Sequence, residues 1–246
     1  MGPRDLYLDL LVKSLSNLIY GPPPDDPWND GLFRGDAKPG RDRLSPAHTM
    51  VGILRLMNVR DLVQRVIDLG IAGDFIETGV WRGGCCILMR GVLAANQISD
   101  RRVFVADSFK GVPAPNVEAF PQDRHMKAHT KPELAVSIRD VKHNFQLYGL
   151  LDDQVEFVEG YFSDTLPAIK KESRFSLIRL DGDMYESTYV ALENLYPKVS
   201  RGGFVIIDDY GAIGACKQAV TDYRTMMSIN SPMEQIDFTG IWWQKS

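Results

Sequence analysis

Two short apolar segments, each followed at once by acidic residues, constrain most strongly what this chain can fold into. Residues 175–180 precede Asp181-Gly182-Asp183, and residues 204–207 precede Asp208-Asp209. Short apolar runs bounded by turn residues are typical of buried parallel strands. Residues 186–199, between the two segments, have helical spacing. The pattern therefore predicts one strand-helix-strand unit with an acidic cluster after each strand.

A right-handed crossover brings the carboxyl ends of two such strands to the same edge of a sheet, where open α/β sheets bind ligands. We therefore expect Asp181, Asp183, Asp208 and Asp209 to converge. Four carboxylates in one crevice repel each other unless they are protonated or neutralised by a cation. All-oxygen ligation suits a hard ion, Mg²⁺ first, with Ca²⁺ or Mn²⁺ as alternatives.

Composition excludes several classes of protein. The 246 residues carry a net charge of −4 without a dense basic block, so we expect no nucleic-acid partner. No apolar stretch approaches the roughly 18 residues of a membrane span, and the N-terminus lacks a signal pattern. Cys85, Cys86 and Cys216 fit small buried hydrophobes in a reducing compartment. We expect a cytoplasmic protein that neither spans nor binds a membrane.

Periodicity along the chain predicts an α/β fold. Strands are expected at 73–79, 102–107, 154–160 and the two acidic segments, and helices at 5–20, 46–69, 83–96, 131–148, 163–171, 186–199 and 215–227. Residues 233–238 and 241–245 read as a terminal hairpin. We interpret this order as an open, mostly parallel, Rossmann-like sheet with an antiparallel hairpin at its end and an N-terminal helical extension. Residues 1–70 would hold helices and a lid segment, and residues 71–246 one compact domain.

Two irregular segments stand out against this pattern. Residues 21–43 are polar and proline-rich, as expected of a mobile lid or, alternatively, a simple linker. Residues 109–132 form a long insertion that should overlie the carboxyl edge of the sheet. The helix at 5–20 carries an apolar stripe that would pack on the domain or on a partner subunit, formed by Leu6, Leu10, Val12, Leu15 and Ile19.

The exit of the first strand, residues 77–84, is glycine-rich and opens a helix, which favours a ligand close to the backbone. It is not GxGxxG, which argues against a nicotinamide-dependent oxidoreductase. Glu77 can meet an ammonium group, and Asp107, at the next strand end, can accept both hydroxyls of a ribose. Gly160-Tyr161-Phe162 can flank an adenine. Together these groups suit S-adenosylmethionine.

Several motifs carry a resemblance to a known family. They are Ala47-His48-Thr49-Met50, the segment from Glu77 to Gly84, Val105-Ala106-Asp107-Ser108-Phe109, residues 148–153, Leu180-Asp181-Gly182-Asp183 and Ile207-Asp208-Asp209-Tyr210. Over nearly the whole chain they resemble the macrocin O-methyltransferase (TylF-like) family. That family methylates sugar hydroxyls of glycosylated natural products, including antibiotics, with S-adenosylmethionine and Mg²⁺ in a class I methyltransferase fold.

The resemblance implies roles for particular residues. Asp181, Asp208 and Asp209 correspond to metal ligands, and Asp183 to the general base. The implied cofactor-binding residues are Thr49, Met50, Glu77, Thr78, Gly79, Val80, Trp81, Asp107, Ser108, Gly160, Tyr161, Phe162 and Asp181. The expected reaction transfers a methyl group to a deoxysugar hydroxyl, with Mg²⁺ holding a vicinal diol. This chain departs from the family at residues 21–44 and 112–131, so the particular sugar is not carried over.

Alternatives remain at this stage. Asp183 could instead cap the following helix, and His48, His125 and His129 are competing bases. A Mg²⁺-dependent catechol or phenol O-methyltransferase uses the same chemistry, and a non-catalytic binding module is a further possibility. The N-terminal helices and Trp242-Trp243 lead us to expect a homodimer or higher homo-oligomer.

Overall fold

The structure, a computed structural model, describes residues 2–19 and 47–246. The segment predicted to be a lid lies outside the described residues. In chain order the helices and strands are α1 (Pro3–Leu15), α2 (Ile53–Asp68), β1 (Asp74–Thr78), α3 (Gly84–Ala95), β2 (Val103–Asp107), α4 (Ile138–Leu147), β3 (Val155–Glu159), α5 (Phe162–Thr165), β4 (Phe175–Leu180), α6 (Tyr185–Leu195), β5 (Val199–Ile207), α7 (Gly214–Met226), β6 (Glu234–Gln235) and β7 (Ile241–Gln244).

The strands form a seven-stranded sheet in the order β3-β2-β1-β4-β5-β7-β6. Strands β1 to β5 pair in parallel, whereas β7 runs antiparallel to both β5 and β6. The predicted fold class, including the terminal hairpin, is confirmed. The strand order reverses between β1 and β4, and the crevice at that point, outside the carboxyl ends, is where open α/β sheets bind ligands.

Alternating residues of the strands bury two faces of the sheet. Phe75 and Val105 point to one face and Ile76 and Ile178 to the other, and all four are fully buried. Helices α1 to α4 cover the first face and α5 to α7 the second. Burial of this continuous apolar surface, at about 25 cal/mol per Å², is the main force that holds the strand ends in place.

The apolar face of α1 agrees only in part with the predicted stripe. Val12 and Leu15 are buried as predicted, together with Leu8 and Leu11, whereas Leu6, Leu10 and Ile19 are 56%, 54% and 42% exposed. The helix starts at Pro3, with proline in its first turn, and its buried face packs on α3, where Leu11 lies against Gly91. The division of the chain at residue 70 remains an interpretation, because α1 and α2 share their core with the sheet.

Helix α2 begins later than predicted. Gly52 is its N-cap, and residues 47–52 form neither a helix nor a strand. Two contacts hold this segment: the His48 backbone N–H donates to the Leu15 carbonyl at 2.8 Å, and Arg82 Nη1 donates to the Ala47 carbonyl at 2.8 Å. The segment therefore lies beside the exit of β1 instead of continuing the helix.

Other predicted boundaries were also wrong, mostly at prolines. Helix α4 starts at Ile138 and not at 131, because the chain forms a 3₁₀ turn from Pro132 and Ser137 caps the helix by accepting the Asp140 N–H. Because Pro197 lacks an N–H, α6 ends at Leu195 and is followed by the 3₁₀ turn Tyr196–Lys198, after which β5 starts at Val199. The short helix predicted to reach residue 171 ends at Thr165, two residues before Pro167.

The tryptophan pair does not form a free surface. Trp243 is fully buried in the second core cluster, and the Trp242 ring lies edge-on to Phe204 at 5.6 Å. The pair therefore does not support the expected homo-oligomer, which remains a prediction. Within residues 2–19 and 47–246, none of the helices combines the length and apolar character needed to cross a membrane.

The buried face of α1 predicts a large effect of its truncation. Leu15→Ala should lower the free energy of unfolding by about 2–5 kcal/mol, because it leaves a cavity in a closed core. Leu10→Ala, on the exposed face of the same helix, is the matched control and should change it by less than about 0.5 kcal/mol. Urea denaturation measures both, and equal losses would contradict the assigned face.

Candidate active site at the carboxyl edge of the sheet

Three of the predicted acids meet where β4 and β5 end. One carboxylate oxygen from each of Asp181, Asp208 and Asp209 lies within 4.8 Å of the other two. Asp208 and Asp209 are buried, whereas the Asp181 side chain is 23% exposed. The structure thus brings together the three residues that the sequence assigned to a metal, with one of them open to the cleft.

Two arginines that the sequence reasoning missed run through this cluster. Arg179, on β4, donates from Nη1 to Glu77 and, at 2.9 Å, to Asp181, and from Nη2 to Asp208. Arg55, on α2, donates from Nη1 to the other oxygen of Asp208. Both guanidinium groups are almost fully buried. We call Arg55 and Arg179 the arginine pair; the sequence signal for Arg179 was a cation inside an otherwise apolar strand.

The arginine pair also fixes a residue of the terminal hairpin. Arg55 Nε donates to Asp237 Oδ2 at 2.9 Å. The other Asp237 oxygen accepts the backbone N–H groups of Thr239 and Gly240 at 3.0 and 2.7 Å, which closes the β6–β7 turn. Thr239 Oγ1 in turn donates to the Asp208 carbonyl at 2.9 Å. Helix α2, the hairpin and the end of β5 are therefore joined around Asp208.

Burial and repulsion between neighbouring carboxylates shift the pKa values of residues in the cluster. The pKa values of Asp181 and Asp209 are raised well above the usual range, first by burial and then by neighbouring carboxylates. The pKa of Arg179 is also raised: burial disfavours its charge, but the surrounding carboxylates, Asp208 first among them, outweigh that effect. The arginine pair is thus charged, whereas ionisation of Asp181 and Asp209 is disfavoured.

Asp183 lies on the wall of the cleft in an unusual backbone conformation. Its φ of 59° is left-handed, and its N–H donates to Asp209 Oδ2 at 3.1 Å. It does not cap the next helix, because the N-cap position of α6 is Met184. Asp123 accepts the Tyr185 and Glu186 N–H groups at 2.7 and 3.0 Å in its place. The capping alternative for Asp183 is therefore wrong.

The cleft beside these acids is lined by most of the predicted cofactor residues. Those lining it are Thr49, Met50, Glu77, Gly79, Val80, Trp81, Asp107, Ser108, Tyr161, Phe162 and Asp181. Thr78 and Gly160 do not line it. Val112 and Pro113 also line it, as expected of the segment 112–131. Residues that the sequence reasoning missed include Val51, Cys85, Gly111, Leu134, Ser187 and Val190. They come from loops and from the helices α3 and α6, where no local pattern marks a ligand contact.

The turn after β1, residues 79–83, is called the cofactor loop, and the turn after β4, residues 181–184, the acidic loop. The cofactor loop requires glycine where it crosses the acidic loop. Gly79 has a φ of +81°, and a Cβ there would lie 1.7 Å from the Asp181 carbonyl oxygen. This close approach places the first turn of the cofactor loop directly against a metal-ligand candidate. Trp81 follows with a φ of 49°, and its Nε1 donates to the Glu133 carbonyl at 2.9 Å. This hydrogen bond connects the loop to the turn Pro132–Leu134 at the end of the insertion.

Asp107 and Glu77 differ in what they still offer to a ligand. Asp107 accepts the Val80 and Phe109 N–H groups at 2.8 Å each, and burial raises its pKa despite these bonds. It lies at the end of β2 on the cleft wall, as a ribose-binding role requires. Glu77 is already engaged by Arg179 on one oxygen and by the Cys86 thiol at 2.8 Å on the other. Its predicted contact with an ammonium group remains a prediction.

None of the three competing histidines lines the cleft. His125 and His129 are exposed residues of the insertion. His48 Nδ1 lies 2.7 Å from the Tyr148 hydroxyl, and burial lowers the pKa of His48. Among the residues that the structure describes, Asp183 is therefore the candidate base that reaches both the cleft and the acidic cluster.

This combination of a 3-2-1-4-5-7-6 sheet and a cleft at the carboxyl ends of β1, β2 and β4 defines a class I methyltransferase. The sequence profile of the macrocin O-methyltransferase (TylF) family matches residues 32–245. The chain therefore belongs to this family and is an O-methyltransferase.

Similar proteins agree with this assignment. The chain is 52% identical, over 98% of its length and 93% of the relative, to the 8-demethyl-8-(2,3-dimethoxy-alpha-L-rhamnosyl)-tetracenomycin-C 4'-O-methyltransferase of Streptomyces olivaceus. It is 46% identical, over 98% of its length and 94% of the relative, to the demethyldecarbamoylnovobiocin O-methyltransferase of Streptomyces niveus. The solved structure of the O-methyltransferase NovP superposes with a TM-score of 0.88 at 45% identity, covering 99% of both chains.

The arginine pair predicts a strong, pH-dependent loss of stability. Arg179→Met should lower the free energy of unfolding by about 3–5 kcal/mol near neutral pH, because it leaves buried carboxylates unpaired. The folded-state pKa values of Glu77 and Asp181, already raised, then rise further above the unfolded ones, so the loss should shrink on acidification and grow as pH increases.

Denaturation of metal-free protein at about pH 5 and about pH 8 measures this difference. Arg102→Met is the control, because Arg102 pairs with Glu156 at the surface, where ion pairs contribute about 0–1 kcal/mol. A loss at Arg179 no larger than at Arg102, or one that falls with increasing pH, would contradict the assigned charge balance.

Proposed function

We propose that this O-methyltransferase transfers the methyl group of S-adenosylmethionine to a hydroxyl of a deoxysugar on a glycosylated natural product, with Mg²⁺ at the acidic cluster and Asp183 as general base. The observation that carries the proposal is the approach of the Asp181, Asp208 and Asp209 carboxylates beside Asp183 on one cleft wall. The names of relatives at 43–52% identity, one of which specifies a rhamnosyl substrate, support the substrate class.

The residues of the cluster fit a hard divalent cation. Three carboxylate oxygens within 4.8 Å of one another match the all-oxygen ligation that Mg²⁺ prefers. Each oxygen of Asp208 already accepts from an arginine, but a carboxylate oxygen has a second lone pair. The raised pKa values of Asp181 and Asp209 also fit, because a cation would offset the repulsion that raises them. When bound, Mg²⁺ would lower the pKa of an acceptor hydroxyl.

The chain's own residues would hold and deprotonate the acceptor. The acceptor oxygen forms a bond to the methyl carbon as the carbon–sulfur bond breaks, and that electron pair neutralises the sulfonium. The hydroxyl proton passes to the Asp183 carboxylate, which faces the cleft beside Asp181. Asp107 would accept the ribose hydroxyls of the donor, and Tyr161 and Phe162 would flank its adenine. These contacts fix donor and acceptor in line, which accounts for much of the expected rate enhancement.

Removal of the base should separate chemistry from binding. Asp183→Asn should lower kcat at least about 100-fold, the usual contribution of a general base, and leave the Kd of S-adenosylhomocysteine unchanged. Asparagine tolerates the left-handed backbone of residue 183, so the fold should be retained. Asp164→Asn, on exposed α5, is the control. Turnover of Asp183→Asn within twofold of that control would rule out the base role.

The metal assignment predicts both activity and heat stability. EDTA should abolish methyl transfer and added Mg²⁺ should restore it. Mg²⁺ should also raise the Tm of the wild type, because it binds the folded cluster and not the unfolded chain. Asp209→Asn should lose most of this Tm shift. Undiminished turnover in the chelator, on deoxysugar glycosides with a vicinal diol, would overturn the metal role, and exclusive turnover of catechols would overturn the sugar acceptor.

A further inference from the structure

The conformation of Asp183 needs support that its own sequence neighbours do not provide. A left-handed, non-glycine residue costs about 1–3 kcal/mol and persists only where its surroundings fix it. On one side Asp209 accepts the Asp183 N–H. On the other side α6 begins two residues later, and its N-cap, Met184, has no side chain that can accept a hydrogen bond from the first N–H groups.

Asp123 supplies that missing cap from a distant part of the chain. It ends the 3₁₀ turn Pro121–Asp123 in the insertion, 62 and 63 residues away from its two partners. Its side chain is fully buried, and its two oxygens accept from Tyr185 and Glu186 separately. A carboxylate that is buried against a helix N-terminus and accepts two N–H groups is well stabilised. It therefore holds the first turn of α6 rigidly.

The same insertion contacts the site at two further points. The Phe120 ring packs against the Tyr185 ring, with 6.1 Å between the centroids. In the 3₁₀ turn Pro132–Leu134, which ends the insertion, the Glu133 carbonyl accepts the hydrogen bond from Trp81 Nε1 in the cofactor loop. The insertion therefore bridges the cofactor loop and the start of α6, with Asp123 at the second contact.

We propose that Asp123 is a positioning residue for methyl transfer: by fixing the start of α6, it holds the turn at 181–184 so that Asp183 faces the acceptor. This role rests on the proposed function of Asp183. Asp123 itself does not line the cleft, so it acts through Asp183 and not on the substrate. A displacement of the base by about 1 Å can cost a factor of about 100 in rate, so a lost cap would reduce kcat without reducing donor binding.

The test compares two helix caps of the same protein. Asp123→Ala removes both acceptors at α6, and Asp123→Asn keeps one of them. Ser137→Ala removes the cap of α4, where Ser137 accepts the Asp140 N–H and does not line the cleft, and is the matched control. Each of these changes should lower Tm, because a lost cap costs about 1 kcal/mol. kcat and KM are measured well below the lowest Tm, together with the Kd of S-adenosylhomocysteine.

The positioning role predicts a graded loss of kcat that a purely structural role would not produce. Asp123→Ala should lower kcat by about 10–100-fold and Asp123→Asn by less, with KM and the Kd of S-adenosylhomocysteine unchanged, whereas Ser137→Ala should keep kcat within about twofold. Asp123→Asn retains the side-chain volume, so it keeps the test decisive if the alanine variant does not fold.

Two results would overturn the proposal, and they differ from a failure of the proposed function. One is a kcat for the Asp123 variants equal to that of Ser137→Ala. The other is a parallel loss of S-adenosylhomocysteine binding, which would indicate collapse of the cleft. If the wild type lacks Mg²⁺-dependent transfer, or if Asp183→Asn is fully active, the proposed function itself fails and the positioning role fails with it.

Discussion

The balance of buried charge at the ends of β1, β4 and β5 is the constraint on which the rest of the structure depends. Glu77, Asp181, Asp208, Asp209 and Asp237 bring five formal negative charges into one region, and the arginine pair returns two positive ones. Buried charges are tolerated only when they are paired and hydrogen-bonded. Three negative charges are left in excess, and the pKa values of Asp181 and Asp209 are raised well above normal because ionisation of these two residues is disfavoured. A divalent cation there would offset two of the three excess charges.

The fold provides this balance by bringing elements from far apart in the chain to one point. Arg55 connects α2 to Asp208 and Asp237, which lie 153 and 182 positions further along the chain. The segment at 47–52, just before α2, is therefore held against the end of the sheet. That segment carries Thr49 and Met50 into the cleft. The close packing of Gly79 on the Asp181 carbonyl joins the cofactor loop to the acidic loop. Donor and acceptor sites would thus share one rigid support, as in-line transfer requires.

The parts predicted from sequence were those with a local pattern. Apolar runs that are each followed by an acid predicted the parallel strands and their order along the chain. They also predicted the convergence of Asp181, Asp208 and Asp209, because the carboxyl ends of parallel strands meet at one edge whatever the details of packing. Helix starts were less accurate where a proline or a remote contact decided them, as at residues 47–52. Arg55 and Asp123 escaped prediction because their contacts span 62 to 182 residues, and nothing near them in sequence marks the partner.

The measurement that tests the metal site most directly is anomalous diffraction from crystals grown with Mn²⁺ and S-adenosylhomocysteine. Manganese prefers the same oxygen ligands as magnesium and has a usable anomalous signal. The account predicts a peak about 2.0–2.3 Å from oxygens of Asp181, Asp208 and Asp209, with both arginines still bound to Asp208. An occupied cofactor cleft with no peak at these three residues would contradict the account, and the arginine pair alone would then have to neutralise the cluster.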